Sequence, residues 1–208
     1  MKVIEQSSEI LTPINGLEIL KNIEIAGRVC YKSESKITDK SCLKFVKNII
    51  DRGHESVLEH QQLSIRFITS RSVSHELCRH RVGVAISQES QRYVSQKDEC
   101  IFINPHFWIG DSGSHVSCKY LWLKSLERAE KDYQILIELG AKPEEARDVL
   151  PNATKTELIM TFNLRELRHV LKLRTSKAAH PQMRWLMIPL LNDLKNKIPI
   201  IFDDIEVE

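Results

Sequence analysis

The sequence contains no long uninterrupted apolar run among its 208 residues. Because a membrane-spanning helix needs about 20 predominantly apolar residues, we expect no membrane span. The first residues, MKVIEQSSEILTPI, also lack the apolar segment and the cleavage site of a secretory signal peptide. The five cysteines are scattered and form no C-x-x-C pair, which argues against a zinc site or a disulfide framework. A reducing cytoplasm is therefore the predicted location.

Glycine is scarce too: the chain has seven glycines, and none is arranged as G-x-G-x-x-G or G-x-S-x-G. The first absence argues against the phosphate-binding turn of a Rossmann domain. The second argues against the nucleophile turn of an α/β-hydrolase. Any dinucleotide bound by this protein must therefore be held by side chains from several segments of the chain.

A large excess of charge of one sign is also absent, since the formal net charge is only +2. A protein that binds nucleic acid in bulk needs a broad basic face, so we predict no nucleic-acid partner. Local clusters of basic residues then favour small anionic ligands. The length and the 42% hydrophobic content are ordinary for one globular domain, which we place over residues 1–208.

Apolar residues at helical spacing predict helices over residues 17–32, 41–52, 118–139, 164–174 and 180–196, and a short helix from Pro143 to Leu150. Asp39 or Ser41 is the expected cap of the second helix, and Gly53 ends it. A short strand is predicted over residues 2–5, and side chains that alternate between two faces predict two more strands, from Gln62 onward and over residues 154–163. Residues 97–118 are irregular and predict a surface loop. The predicted fold is α+β, with a small, mostly antiparallel sheet packed with several helices.

The most informative segment begins at Arg79-His80-Arg81 and continues at residues 87–93 with SQESQRY. Ser70 or Ser72 is expected to cap a short helix that carries Arg79 and His80 at its end. Arginine forks match phosphates and pyrimidine carbonyls, which accept two parallel hydrogen bonds. The apolar residues Val82 and 84–86 between the two polar groups predict a buried middle. A solvated basic helix end is the alternative, but the segment as a whole favours a nucleotide site.

Two further polar clusters flank the predicted strands. Residues 53–60 read GHESVLEH, in which His54, Glu55, Glu59 and His60 are conceivable metal ligands, but their spacing matches no standard metal motif. We therefore predict no metal, and polar capping of a helix–strand junction is the other alternative. The third cluster comprises LPNAT at residues 150–154, NLRELRH at residues 163–169 and LR at residues 173–174. Without further information it could be an exposed charged helix.

Taken in order, these three clusters resemble the motifs of the flavin-dependent thymidylate synthases. That family carries the Arg-His-Arg triplet, usually seven residues, and then a serine that often continues into Arg-Tyr. Here the spacer from Val82 to Glu89 has eight residues, and we place the extra residue near Gly83. The family also carries a His-x-Ser-x-x-Glu-His element, a Leu-Pro followed by a strand, and an Asn-x-Arg element before a helix that ends in Leu-Arg. The resemblance runs from about Cys30 to Asp203.

The resemblance implies reductive methylation of dUMP to dTMP, with methylenetetrahydrofolate as carbon donor and bound FAD reduced by NADPH. It also implies a homotetramer whose FAD sites are shared between subunits. The implied dUMP-binding residues are Glu76, Arg79, Gln88, Glu89, Ser90, Gln91, Arg92 and Arg174. The implied FAD-binding residues are Ser56, Arg79, His80, Arg81, Gln88, Asn163, Arg165 and His169. Arg174 is the implied pyrimidine contact and our candidate catalytic residue, because a cation beside the N3–C2=O edge favours the electron-rich ring.

One position departs from the family pattern. Many members carry a phosphate-binding arginine on the strand after Leu-Pro, and counting places Glu157 there. Lys155 lies two residues earlier and hence on the same strand face, so we predict that it binds the dUMP phosphate in place of the missing arginine.

Two other classes of function use the same residues. A non-catalytic nucleotide-binding or RNA-binding protein would need the arginines but not the elements around Ser56 and Asn163. A serine hydrolase would need a histidine to activate Ser90, and the sequence shows no adjacent histidine–acid pair. Positioning of a nucleotide is the role that we predict for Ser90.

Overall fold

The computed structural model describes residues 1–108, 110 and 112–207. The chain divides into two compact units. The first unit comprises Met1–Ser7, Phe67–Arg79 and Ser87–Ile159. The second unit comprises Ser8–Arg66, His80–Ile86 and Met160–Glu208. Several strands begin in one unit and end in the other, so the division does not follow the element boundaries.

In chain order the strands are β1 (Lys2–Ile4), β2 (Ser7–Ile10), β3 (Gln62–Ser70), β4 (Val84–Gln88), β5 (Ile101–Ile103) and β6 (Lys155–Asn163). The helices are α1 (Gly16–Val29), α2 (Ser41–Asp51), α3 (Arg71–Leu77), α4 (Gly113–Glu138), α5 (Pro143–Ala146), α6 (Leu164–Thr175) and α7 (Pro181–Lys197). Short 3-10 helices cover Glu34–Lys36, Glu55–His60 and Arg147–Val149.

The larger sheet has the strand order β2-β3-β6-β4, and β1 pairs with β5 in a separate parallel ribbon. Backbone hydrogen bonds join Leu164 to Gln61 at one end of the β3–β6 pair and Arg71 to Thr154 at the other. Residue numbers thus increase along β3 in the direction in which they decrease along β6, so this pair is antiparallel. The α+β prediction is confirmed, with the β1–β5 ribbon as its parallel exception.

The predicted alternation in the two central strands is confirmed. In β3 the side chains of Leu63, Ile65 and Phe67 are buried, and in β6 every second residue from Thr156 to Phe162 is buried. Hydrophobic burial therefore sets the register of both strands, because a slip by one residue would expose the whole set.

The long helices lie close to their predicted ranges. In the second unit α1 packs against α2 and α6 packs against α7. Ser70 caps α3 as expected, since its hydroxyl accepts a hydrogen bond from the Val73 N–H. The cap predicted for α2 is wrong: Lys40 occupies that position without a side-chain hydrogen bond, and Ser41 is the first helical residue. None of the described helices combines the length and apolarity that a membrane crossing requires.

Two predictions about irregular segments are also wrong. The apolar residues 82–86 are not buried: Val82 is 80% exposed, and Ala85 and Ile86 are exposed as well. They enter β4, the last strand of its sheet, which has a neighbouring strand on one side only. Residues 97–118 are not a simple loop, because they contain β5 and the first turn of α4. β5 forms by pairing with residues about 100 positions away, which local periodicity does not reveal.

Candidate functional site

The predicted site residues form two groups, one in each unit. The chain passes from the first unit to the second between Arg79 and His80, and it returns between Ile86 and Ser87. The Arg-His-Arg segment thus contributes to both groups. Each group is described from its own contacts.

In the first unit Gln88, the last residue of β4, has a fixed side chain. Its Nε2 donates to the hydroxyls of Ser74 and Thr156, each at 3.1 Å, and the Cys78 thiol approaches its Oε1 at 3.8 Å. Both ends of the amide are thereby engaged within the protein. Gln88 therefore orients the start of the segment that follows β4. Because both of its amide protons are already donated, a ligand contact from it would use the remaining lone pair of Oε1.

The neighbouring strand β6 presents Lys155 between two carboxylates. Its Nζ donates to Glu89 Oε2 at 2.8 Å and lies 3.6 Å from Glu157 Oε2. The Lys155 side chain is largely enclosed, with 17% exposure, so it does not point freely to solvent. Lys155 and Glu157 share one face of β6, as their spacing predicts. A cation is therefore present beside Glu157, and it is paired with two carboxylates.

Beyond Gln88 the chain turns, and the backbone N–H groups of Tyr93 and Val94 donate to the Ser90 carbonyl. The Ser90 hydroxyl accepts from the Arg92 N–H at 3.3 Å. The exposed Arg92 side chain pairs with Glu144 at 3.0 Å, which lowers the pKa of that carboxyl. Gln91 is half-buried in the same turn. In the described part of the chain no histidine hydrogen-bonds Ser90, so the hydrolase alternative gains no support.

Sequence reasoning missed a cation in this group. Arg71, the first residue of α3, is half-buried and donates to the Thr156 hydroxyl at 3.4 Å. Burial, and then the nearby Arg147, lowers its pKa, while Cys78 and Glu89 act in the opposite direction. Of the two predicted residues at the other end of α3, Glu76 is half-buried and Arg79 is exposed. The sequence places Arg71 directly after the Ser70 cap, in the first turn of the helix that leads to Arg79, and this position was the available signal.

In the second unit the central feature is a chain of three side chains, Arg174, His80 and Glu166. Arg174 Nε donates to His80 Nε2 at 3.1 Å, and His80 Nδ1 lies 3.3 Å from Glu166 Oε1. Because arginine can only donate, His80 Nε2 must be unprotonated, and Nδ1 carries the proton and donates it to Glu166. The imidazole of His80 is therefore neutral and holds the Arg174 guanidinium in place.

Electrostatics favour the same state of His80. Burial lowers its pKa to about 4, and the neighbouring Arg174 and His169 act in the same direction. We expect nitrogen-15 NMR to show the neutral Nδ1–H tautomer from pH 5 to pH 8. Below about pH 6.5 an unfolded chain takes up a proton that the folded protein does not accept until about pH 4. Because of this histidine, the free energy of unfolding therefore decreases as the pH falls from about 6.5 to about 4. A His80 titration near pH 6.5 would contradict the arrangement.

Asn163 joins β6 to α6 and is a cap, as its position in the sequence suggests. Its side chain accepts from the Glu166 N–H at 2.8 Å, and its own N–H donates to the Gly83 carbonyl. Gly83 has a φ of 65°, and a Cβ built on it would overlap the Asn163 amide. Both facts require glycine at this position, where we placed the extra residue of the spacer.

A cavity of about 590 Å³ opens beside this cap. Its lining includes three of the residues predicted to bind FAD, namely Asn163, Arg165 and His169. Arg165 is half exposed and pairs with Glu59 at 2.6 Å. Of the other predicted FAD residues, Arg81 and Ser56 are both exposed, and Ser56 lies in the 3-10 helix Glu55–His60. That helix packs against α6, which carries the arginines.

Arg168 is the residue of this region whose environment the sequence does not reveal. The exposed-helix alternative for its cluster is wrong at this position, because Arg168 is only 1% exposed. Its guanidinium is paired with Glu55 at 3.0 Å and with Asp204 at 2.7 Å. It thus ties the 3-10 helix that carries Ser56 both to α6 and to the segment around Asp204.

The described residues contain one trio whose possible metal-ligating atoms lie within 4.8 Å of one another: His80, Glu166 and His169. The hydrogen bond from Arg174 already occupies one nitrogen of His80. A guanidinium at that distance also opposes a second cation. The glutamates of the segment 53–60, our sequence-based metal alternative, are instead paired with Arg168 and Arg165.

Comparison with known proteins places this geometry in context. The family model described as thymidylate synthase complementing protein matches residues 16–200. The flavin-dependent thymidylate synthase of Mycobacterium tuberculosis (strain ATCC 25177 / H37Ra) is 37% identical over 204 residues, covering 89% of this chain and 79% of that protein. The enzyme of the same name from Mycobacterium leprae (strain Br4923) is 34% identical over 208 residues with the same coverage.

The crystal structure of the UMP/dUMP methylase PolB from Streptomyces cacaoi bound with 5-Br dUMP has the same fold. Its TM-score is 0.82 at 22% sequence identity, and the match covers 98% of this chain and 96% of that one.

Proposed function

Because the chain belongs to the flavin-dependent thymidylate synthase family, we propose that it catalyses the reductive methylation of dUMP to dTMP. In this proposal methylenetetrahydrofolate supplies the carbon and NADPH supplies the reducing equivalents through FAD. The observation that carries the proposal is the Arg174–His80–Glu166 chain, which fixes a guanidinium by means of a neutral histidine. A non-catalytic nucleotide-binding protein would not need a cation oriented in this way.

The chemical difficulty of the reaction is to make pyrimidine C5 nucleophilic enough to accept a one-carbon unit. A guanidinium beside the N3–C2=O edge stabilises negative charge on the ring, and it acts best when its position is fixed beforehand. His80 provides that fixation by accepting the Nε proton of Arg174. The neutral state of His80 matters, because an imidazolium would repel the guanidinium and could no longer accept its proton.

The cavity beside Asn163 fits a flavin dinucleotide in its donor chemistry. Arg165 and Lys172, which pair with Glu59 and Asp204 in the structure, would supply cations for a pyrophosphate, and His169 would supply a ring nitrogen. In the proposal these residues, together with Ser56, Arg79, His80, Arg81 and Gln88, hold FAD, which supplies the redox chemistry when bound. Since the residues come from dispersed segments, we also propose that the enzyme acts as a homotetramer with shared FAD sites, located in the cytoplasm, and that residues 1–208 work as one such domain.

We propose that the first-unit group holds the nucleotide. This group comprises Glu76, Arg79, Gln88, Glu89, Ser90, Gln91, Arg92 and Lys155. The turn after β4 carries the Ser90 hydroxyl, and Lys155 is bonded to Glu89 at the start of the same turn, so a hydroxyl donor and a cation are both available for a phosphate ester. Arg71 adds a half-buried cation that interacts electrostatically with Glu89.

Lys155→Ala is expected to weaken dUMP binding while flavin affinity stays nearly unchanged. A charge-assisted hydrogen bond of this kind contributes roughly 1.5–3 kcal/mol, which corresponds to about a ten- to a hundred-fold change in Kd. The measurement is a dUMP titration followed by the flavin spectrum. Lys131→Ala, which removes an exposed lysine of α4, is the matched control. If both variants bind dUMP as tightly as the wild type, Lys155 serves only its two carboxylates.

The proposed activity is tested with the purified protein in three steps. The absorption spectrum should show noncovalently bound FAD, and anaerobic NADPH should bleach it. Addition of dUMP and methylenetetrahydrofolate should then yield dTMP. Bound flavin without any dTMP would refute the synthase activity, and FAD retained tightly by a verified monomer would refute the shared sites.

A further inference from the structure

A second cavity in the second unit, of about 540 Å³, is lined on several sides by cations. We call it the basic cavity; its lining includes Arg28, Lys36, Arg52, Tyr31, Phe45 and Ser56. Three of its lining residues are permanent cations, and none is a carboxylate. Its volume lies within the range of about 300–1,000 Å³ that is common for small-molecule sites. An electropositive, partly aromatic cavity of this size suits an anionic ligand that carries a flat ring.

One wall of the basic cavity is rigid. Arg28 donates through Nε and Nη2 to Glu24 Oε1 at 3.1 and 2.7 Å, and the Ser41 hydroxyl donates to the other oxygen of Glu24 at 2.7 Å. Glu24 is almost fully buried and does not line the basic cavity, so it fixes the Arg28 side chain without occupying the space for a ligand. The guanidinium lies over the Phe45 ring, 4.7 Å from its centroid. Such a wall is organised before any ligand arrives.

Phe45 can take this position because Gly27 faces it. A Cβ built on Gly27 would lie 2.7 Å from two carbons of the Phe45 ring, so any larger residue would displace the ring. The packing of α1 against α2 thus creates an aromatic surface with a cation on it. A flat ring can stack on the guanidinium, whose positive charge also attracts an anion.

The other two cations, Lys36 and Arg52, are exposed at the cavity, and among the described residues neither forms an ion pair. The carboxylate next to Arg52 in the sequence, Asp51, pairs with Lys47 instead. Two unneutralised cations beside a fixed third one repel one another, and a bound anion removes that cost.

We infer that the basic cavity binds the anionic tail of a co-substrate, either the glutamate of the folate or the 2′-phosphate of NADPH. This inference rests on the proposed function, because the cavity also reaches Ser56, a proposed flavin contact. A tail bound by Arg28, Lys36 and Arg52 would leave the ring of the co-substrate directed toward Ser56. Carboxylates and phosphates present the same chemistry to these cations, so the experiment must separate the two sources.

The test uses the double variant Lys36→Gln/Arg52→Gln, because both side chains are exposed and their loss does not disturb the core. Calorimetric titrations of the flavin-loaded protein compare tetrahydrofolate with 6-methyltetrahydropterin, which lacks the glutamate, and NADPH with NADH, which lacks the 2′-phosphate. We expect the Kd of tetrahydrofolate or of NADPH to rise at least about ten-fold, as the loss of charge-assisted hydrogen bonds predicts. The Kd of the tail-less counterpart should not change.

Lys44→Gln is the matched control, since it removes an exposed lysine of α2 outside the basic cavity. Unchanged affinity for both tetrahydrofolate and NADPH in the double variant would overturn the inference, as would an equal loss for the tail-less counterparts. A wild-type protein that forms no dTMP refutes the proposed function instead, and the binding titrations still report on the cavity.

Discussion

Replacing Arg174 by alanine is expected to lower the kcat for dTMP formation by about 100- to 1,000-fold, with little change in flavin affinity. This scale, about 2.7–4 kcal/mol, is that of removing one fixed donor from developing negative charge. The Arg174 side chain is half-buried near the end of α6, and its Nε–H is committed to His80. Its removal takes away the cation proposed for the pyrimidine and leaves the cap at Asn163 intact.

Two further variants separate the roles of charge and geometry at this position. Arg174→Lys keeps the charge but lacks the planar fork, so we expect activity between that of the wild type and that of Arg174→Ala. Lys177→Ala removes an exposed cation three residues further along the chain and should leave kcat unchanged. The measurement is single-turnover formation of dTMP at saturating dUMP. Wild-type rates in Arg174→Ala would remove this residue from the mechanism.

Sequence reasoning succeeded where the signal was local. Alternation in β3 and β6 has a period of two, and each strand buries one face, so the pattern alone defined both strands. Ser70 and Asn163 were recognisable as caps because capping involves a backbone N–H only three residues away. These two caps also begin the helices that lead to Arg79 and Arg174.

Sequence reasoning failed where distant segments of the chain determine the environment of a residue. The apolar residue Val82 was expected to be buried, but nothing covers it among the described residues, whereas the charged Arg168 is buried. The difference depends on Asp204, which lies 36 positions from Arg168, and on Glu55, which lies 113 positions away. Neither separation has a period that a sequence window can detect. The basic cavity was missed for the same reason, since the structure brings together Arg28 of α1, Lys36 of the segment between α1 and α2, and Arg52, which follows α2.

The largest expected effect on stability is at Arg168. All five N–H groups of its guanidinium donate hydrogen bonds. Nε and Nη2 each donate to Glu55, and Nη2 and Nη1 each donate to Asp204. The remaining proton of Nη1 is donated to the Ile201 carbonyl. Lysine has only three donors and could not replace it. The hydrogen bond from Arg168 also lowers the pKa of Asp204 to about 2, with help from Lys172. This contribution of Asp204 is therefore present above about pH 4 and is lost as the pH falls toward 2.

We expect Arg168→Met to lower the free energy of unfolding by roughly 1–3 kcal/mol, because the Ile201 carbonyl and the partly enclosed Glu55 carboxylate lose their buried donor. Arg165→Met is the matched control on the same helix, since Arg165 also pairs with a glutamate of the 3-10 helix, but its side chain is 52% exposed. Water screens that pair, so its loss should cost much less. Urea unfolding of the flavin-free proteins measures both variants without a contribution from flavin affinity.

A triple variant shows whether the loss of stability in Arg168→Met arises from the unpaired carboxylates or from the lost packing of the Arg168 side chain. Combining Arg168→Met with Glu55→Gln and Asp204→Asn removes the unpaired carboxylates, so we expect it to recover part of the lost stability. If Arg168→Met and Arg165→Met destabilise the protein equally, burial does not distinguish the two ion pairs. The Arg168 network would then not be what fastens the 3-10 helix carrying Ser56 to α6.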